Sequence, residues 1–331
     1  MQYAERAKHL SFYPRFTSHS IPFQFNVTLG SPLFDISPVS SDERFGWAPS
    51  CLTPNCLPSA SWSTSLINST LDFSYWGFGV TFDGTVEGDM TIQLTRNGQE
   101  EWWNPSEGTL FTIKNSFLDE LNLQNVTLKV MDASPNARLT VTQARVNSSS
   151  RTHSQFDYDR WTLASDSPLL RYNGFTPSTA GPGSLARYVS TTAGDKVHMS
   201  WNGSTVLLYG PCGPSSGLVR VAIDGNKRTL NLSRPFQSDD CLLFQSQDIS
   251  SNIFHRLEVE NIDGGLFLLD RMEFMRMSTF RPPGPISTLG EMAIIMLVVA
   301  ALAAGVLVVY TAMTRKAAKK VFDDSLEPLL L

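Results

Sequence analysis

Hydrophobic and polar residues alternate in short runs over most of the chain, and one long stretch near the C-terminus does not alternate at all. Val80-Thr-Phe, Met90-Thr-Ile-Gln-Leu-Thr, Val126-Thr-Leu-Lys-Val and Arg138-Leu-Thr-Val-Thr are such runs, and Val206-Leu-Leu-Tyr, Leu218-Val-Arg-Val-Ala-Ile and Arg256-Leu-Glu-Val-Glu read the same way. A period of two belongs to a strand with one buried face. Each run is bounded by Gly, Asn, Asp or Pro, which predicts many short strands in a sandwich or barrel. Arg96-Asn-Gly-Gln and Ile223-Asp-Gly-Asn predict tight hairpins with glycine where a positive φ is needed.

The exception is Met292 to Met313, MAIIMLVVAALAAGVLVVYTAM, which holds no charge, Pro, Asn or Gln. As a helix it is roughly 33 Å long, against a hydrocarbon core of about 30 Å. A core helix of that length would carry a polar face, so the stretch predicts a single transmembrane helix. Ala300, Ala301, Ala304 and Gly305 form a small-residue patch on which a second helix could pack, giving a helix-mediated dimer. Arg315, Lys316, Lys319 and Lys320 follow the span, whereas Arg281 and Glu291 are the nearest charges before it. The basic flank predicts a cytoplasmic C-terminus in contact with anionic headgroups of the lipid bilayer, and an N-terminal region outside. Residues 1–29 contain no apolar run of seven or more, so no signal peptide is visible. Two readings follow: a true start upstream of Met1, or a tail-anchored protein with its β-region in the cytosol.

The strands come twice in the same order. Val80 to Gly84 matches Val206 to Gly210, the strand before Asn97-Gly98 matches the strand before Asp224-Gly225, and Leu110-Phe111 matches Leu243-Phe244. Leu128-Lys-Val130 then matches Leu257-Glu-Val259, and Ala137 to Val146 matches Gly265 to Phe274, at an offset of about 130 residues throughout. The expected organisation is an N-terminal segment 1–29, a β-sandwich domain 30–150, a second 156–278, a Pro-rich stalk 279–291, the span 292–313 and a tail 314–331. The run Trp201-Asn-Gly-Ser-Thr-Val-Leu-Leu-Tyr-Gly-Pro, with Gly213-Pro, Val219-Arg-Val-Ala-Ile-Asp-Gly, Leu242-Leu-Phe, His255-Arg-Leu-Glu-Val-Glu-Asn and Leu268-Leu-Asp-Arg-Met-Glu-Phe, resembles a repeat of fungal, mainly basidiomycete, surface proteins. The resemblance covers about 110 residues of the second copy and, more loosely, the first, where Phe82-Asp-Gly stands in place of Tyr-Gly. It implies a mainly β fold of two tandem jelly-roll sandwiches of the galactose-binding-like type, a stalk and one transmembrane α-helix. It bears on architecture more than on activity.

Composition adds placement. A net charge of −5 and 42% hydrophobic residues fit a packed protein, and no basic tract suits nucleic acid. Sequons at Asn26, Asn68, Asn125, Asn147, Asn202 and Asn231 all precede the span, which predicts a luminal or extracellular glycoprotein. The four cysteines allow three pairings; Cys51–Cys56 and Cys212–Cys241 keep each bond within one predicted domain, and four free thiols are the alternative. No CxxC is present and the five histidines are scattered, so neither a metal site nor a cofactor is expected. There is no G-x-S-x-G, H-E-x-x-H or P-loop. Glu100 and Glu101, adjacent in a loop, cannot act across a cleft as glycosidase carboxylates do, so no enzyme is expected. Trp102-Trp103 lies between Asn97-Gly98 and Asn104-Pro105 and is the candidate ligand-binding element, because indole faces stack on sugar rings; its alternative role is edge packing. Trp47, Trp62, Trp76, Trp161 and Trp201 are expected to pack in or beside the core. The expectation is a non-catalytic, single-pass surface protein binding cell-wall or extracellular glycan. Its rival is an adhesive ectodomain that binds no sugar.

Overall fold

The computed structural model describes residues 24–77, 79–114, 122–147, 158–178, 187–247, 249 and 253–277. The predicted stalk 279–291, span 292–313 and tail 314–331 lie outside these, as do residues 1–23 of the predicted N-terminal segment. Among the described residues no helix is long and apolar enough to cross a membrane.

The first eleven strands are β1 (Gln24–Thr28), β2 (Phe34–Ser37), β3 (Ala48–Pro49), β4 (Trp62–Thr64), β5 (Thr70–Gly77), β6 (Gly79–Glu87), β7 (Met90–Arg96), β8 (Gln99–Glu100), β9 (Thr109–Lys114), β10 (Asn122–Ala133) and β11 (Arg138–Asn147). One sheet runs β3-β4-β11-β6-β9, with β1 also on β11, and the other runs β2-β5-β10-β7-β8. Alternation sets the inner faces. Leu71, Phe73 and Tyr75 of β5 and Val126, Leu128 and Val130 of β10 point inward from one sheet. Val80 and Phe82 of β6 and Leu139 and Val141 of β11 meet them from the other. Aromatic rings fill the gap, with Phe34 on Phe73 at 4.3 Å between centroids and Phe82 on Phe111 at 4.6 Å.

The remaining strands are β12 (Tyr158–Ala164), β13 (Arg171–Asn173), β14 (Thr176–Ser178), β15 (Arg187–Ser190), β16 (Lys196–Trp201), β17 (Thr205–Cys212), β18 (Leu218–Ile223), β19 (Asn226–Asn231), β20 (Ser238–Gln245), β21 (His255–Asn261), β22 (Phe267–Leu269) and β23 (Arg271–Met277). They form sheets β12-β23-β17-β20 and β13-β16-β21-β18-β19, with β14-β15-β22 at one side. The repeat read from sequence is therefore a repeat of topology. β11, β6 and β9 occupy the places of β23, β17 and β20, while β2, β5, β10, β7 and β8 occupy those of β13, β16, β21, β18 and β19. Both expected hairpins form, at Asn97 (φ 51°) and Gly98 (φ 79°) and at Asp224 (φ 51°) and Gly225 (φ 87°).

Gly84 and Gly210, paired by the repeat, have one physical cause. A Cβ on Gly84 would lie 2.0 Å from the Thr140 carbonyl oxygen, and one on Gly210 would lie 2.3 Å from that of Leu268. In each copy the neighbouring backbone comes too close for any side chain.

The two sandwiches are not independent beads. All described residues fall in one compact unit, and Leu207, Tyr209, Leu242 and Met275 of the second sandwich belong to the first sandwich's apolar cluster. Ser31 Oγ donates to the Leu242 carbonyl oxygen at 2.5 Å. Gln245 Nε2 donates to the Trp76 carbonyl oxygen at 2.6 Å and Gln245 Oε1 accepts the Trp76 N–H at 3.0 Å. The disulfides join Cys51 to Cys56 and Cys212 to Cys241, with Cα separations of 6.2 and 6.0 Å. Both sulfurs of the second pair rest on the Gly30 carbonyl oxygen, at 3.0 and 3.2 Å, so this bond sits at the seam.

Candidate functional site

The loop after β8 carries Trp102-Trp103, as its turn-rich flanks predict, and both of its ends are pinned. Glu101 donates its backbone N–H to Leu94 O at 2.9 Å, and its carboxylate meets Arg96 Nε at 2.7 Å. At the far end Ser106 and Thr109 exchange backbone hydrogen bonds of 2.8 and 3.1 Å around Gly108, whose φ of 72° permits the tight turn. Between these anchors the two indoles part. Trp103 packs half-buried against the first core, 6.1 Å from the Phe111 ring. Trp102 is 82% exposed, a flat apolar face held out in water.

Trp103 and Pro105 form one wall of an open cleft of about 540 Å³. The other walls carry Asp89 and Thr91 from the β6–β7 turn and the start of β7, and Asp132 and Ser134 from the end of β10 and the turn after it. Backbone pairing joins these walls, because Thr91 stands opposite Asp132 and Ser134 N–H donates to Asp89 O at 2.9 Å. A β-bulge between Val130 and Asp132 shifts the register just before Asp132. Asp132 Oδ1 accepts the Ala133 N–H at 3.0 Å. The lining has two carboxylates, two hydroxyls, one indole and no basic residue. Carboxylates accept hydrogen bonds from hydroxyl groups, and an indole covers C–H surface, so the cleft suits a neutral polyhydroxylated ligand. Trp102 is not among its lining residues, so the predicted pair splits into one cleft residue and one projecting ring. Among the described residues no group of three His, Cys, Asp or Glu side chains could hold a metal.

Sequence reasoning found the tryptophans and missed Asp89, Thr91, Asp132 and Ser134. The Gly88-Asp89 turn was a visible signal, since Gly88 takes φ 70°. Asp132 reaches the site only through the register of β10 on β7 and its bulge, which no local pattern reveals. Trp47, Trp62 and Trp201 are buried, as expected of core residues. Of the sequon asparagines, Asn26, Asn68, Asn125 and Asn231 are exposed, whereas Asn147 and Asn202 are half-buried. Asn125 Oδ1 accepts the Ser74 hydroxyl at 2.6 Å.

No protein-family model matches the chain, and no curated protein sequence does. Among solved structures, a two-domain esterase active on acetylated mannans is similar over 34% of this chain and 35% of its own, at 14% identity and a TM-score of 0.28. A Paenibacillus xanthan lyase aligns over 70% of this chain and 26% of its own, at 13% identity and a TM-score of 0.27. The tandem CBM22 domains of Paenibacillus barcinonensis Xyn10C align over 79% of this chain and 99% of their own, at 11% identity and a TM-score of 0.25. The chain thus spans about a third of the esterase and a quarter of the lyase. Overlays this loose carry no function across, and the functional reading rests on the cleft and its tryptophans.

Proposed function

We propose that this chain is a non-catalytic, single-pass surface glycoprotein of the fungal tandem jelly-roll type, and that its first sandwich holds neutral glycan at the Trp103 cleft. The observation that carries the reading is the rigidly pinned loop that keeps Trp102 82% exposed beside a cleft of carboxylates and hydroxyls. The loop is tied at both ends, so the indole is offered to a ligand from a fixed position at little further ordering cost. The uncharged stretch 292–313 and the basic residues after it support anchoring with the sandwiches outside. Affinity electrophoresis of the full chain through gels containing wall polysaccharides tests the glycan reading. Retardation by a neutral polysaccharide, lost in Trp102→Ala, is expected. Unchanged mobility in every polysaccharide would favour an adhesive, sugar-free role. Alkaline carbonate extraction tests the anchor, and release into the supernatant would remove it.

A further inference from the structure

A second concavity runs between the sandwiches. Its wider part, about 410 Å³, has a floor of Trp76 and Ser74 from β5, with Asp72 of β5 and Asp35 of β2 along one wall. The opposite wall is Arg228 and Asn231 of β19, with Arg234 just beyond. A narrower part of about 210 Å³ continues past Asp35 and Arg234 toward Trp62. The volume falls within the range of small-ligand sites, roughly 300–1,000 Å³.

The polar groups of this groove are incompletely used. Asp35 and Asp72 stand directly opposite in the β2–β5 register, both exposed along the groove, and Asp72 Oδ1 also accepts the Thr127 hydroxyl. Arg234 Nε is buried without a hydrogen-bond partner, and Arg234 Nη1 reaches only Ser233 O at 3.3 Å. A buried unpaired donor is expensive, and the charge of Asp35 across the groove acts on this guanidinium. Trp76 presents a half-buried ring whose backbone is clamped by Gln245.

Asn231 is the residue that names the occupant. It begins the sequon Asn231-Leu232-Ser233 and lines the groove. Its Oδ1 is fixed by the Ser233 N–H at 3.0 Å, while its Nδ2 makes no hydrogen bond among the described residues. Asn26 is the contrasting case. Its cleft also holds arginines, but Arg160 is paired with Glu273 at 2.5 Å, Arg271 with Asp240 at 2.7 Å, and Arg271 lies 3.9 Å over Tyr209. Both arginines of that cleft already have carboxylate partners.

We infer that the groove is lined for the chain's own Asn231-linked glycan, whose core sugars lie on Trp76 between the aspartate and arginine walls and fix the sandwiches together. The inference rests on the extracellular placement proposed above. The linkage forms between Asn231 Nδ2 and the anomeric carbon of a lipid-carried oligosaccharide; Nδ2 loses one proton and the lipid diphosphate leaves.

The test uses the full chain purified from its own cells. Glycopeptide mass spectrometry reads the occupancy of every sequon, and endoglycosidase release is then timed on native and denatured protein. Asn231 should be occupied, and in the native protein its glycan should be released at least roughly tenfold more slowly than that of Asn68, the protection an opening free energy near 1.4 kcal/mol gives. Trp76→Ala should abolish the difference, and Arg228→Ala, at the exposed rim, gives the same readout should the first variant fold poorly. Occupied neighbours with a bare Asn231 would overturn the inference and leave the placement standing. Asn231 released as fast as Asn68 would also overturn it. Bare sequons throughout would overturn the placement and the inference together.

Discussion

Gln245 is the most informative single side chain at the seam. β2 pairs with β5 only from Ser37 opposite Thr70 to Phe34 opposite Phe73, and Leu33 O takes the Ser74 N–H at 3.1 Å. Two residues on, the Trp76 N–H and C=O face the same side with no strand left to bond them. Gln245, 3% exposed, reaches over from β20 and satisfies both. Replacing it with Met keeps its volume and removes both hydrogen bonds. Each unpaired group costs about 1–3 kcal/mol when buried, and water reaches this half-open edge, so a total of roughly 2–4 kcal/mol is expected. Gln245→Glu retains an acceptor for the N–H and sets lone pairs against the carbonyl, so it should lose a comparable amount. Urea unfolding of the detergent-solubilised full chain, followed by tryptophan fluorescence, measures the change. The Met variant should also broaden or split the transition as the sandwiches uncouple. A loss under about 0.5 kcal/mol with one unchanged transition, against that expectation for two unpaired groups, would refute the idea that Gln245 couples them.

Three further outcomes follow from the same structure. Gly84→Ala and Gly210→Ala should each destabilise by about 2–4 kcal/mol in urea titrations, because backbone oxygens at 2.0 and 2.3 Å cannot move without breaking strand pairing. Replacing Cys212 and Cys241, 29 apart in sequence, with alanines should cost roughly 3.6 kcal/mol on the chain-entropy relation, against roughly 2.2 kcal/mol for Cys51 and Cys56, 5 apart; denaturant midpoints under identical conditions give the ranking. Acid should destabilise. Asp42 is pulled down to about 2 by the side chain of Arg44, Asp224 is lowered by the Arg256 N–H and then by His255, Glu258 by Lys196, and Asp263 by the N–H groups of Gly265 and Leu218. Lowered folded-state values stabilise above the unfolded pKa and fade as pH drops below about 4. Burial raises Asp270, which opposes the trend as one group against four. A urea midpoint that rose on going from neutral pH to about pH 3 would contradict this sign.

The strands, the two hairpin turns and the repeat were legible because each is a local signal: period two, a dipeptide needing positive φ, and an order of motifs. The cysteine partners followed from where the repeat divided the chain. The cleft was legible only at Trp103 and the nearby Gly88-Asp89 turn. Asp132 is aimed by a bulge and by the register of β10 on β7, which depend on strands far apart in sequence. The seam was not legible at all. Gln245 and Ser31 look like ordinary polar residues in a strand and a turn, and their work appears only when two sandwiches meet. The sequence pattern assigns Trp76 to packing in or beside the core, whereas its half-buried ring belongs to neither apolar cluster and lines the inter-sandwich groove.

The central claim is that the first sandwich grips neutral glycan through its pinned tryptophan loop. A glycan array probed with the full chain in detergent, beside Trp102→Ala and Trp103→Ala, tests it most directly. The account predicts signal on neutral polysaccharides. Trp102→Ala should lower it about tenfold with no change in melting temperature, and Trp103→Ala should lower both signal and melting temperature. An array blank for the unaltered chain, or one on which both variants bind as it does, would contradict the claim.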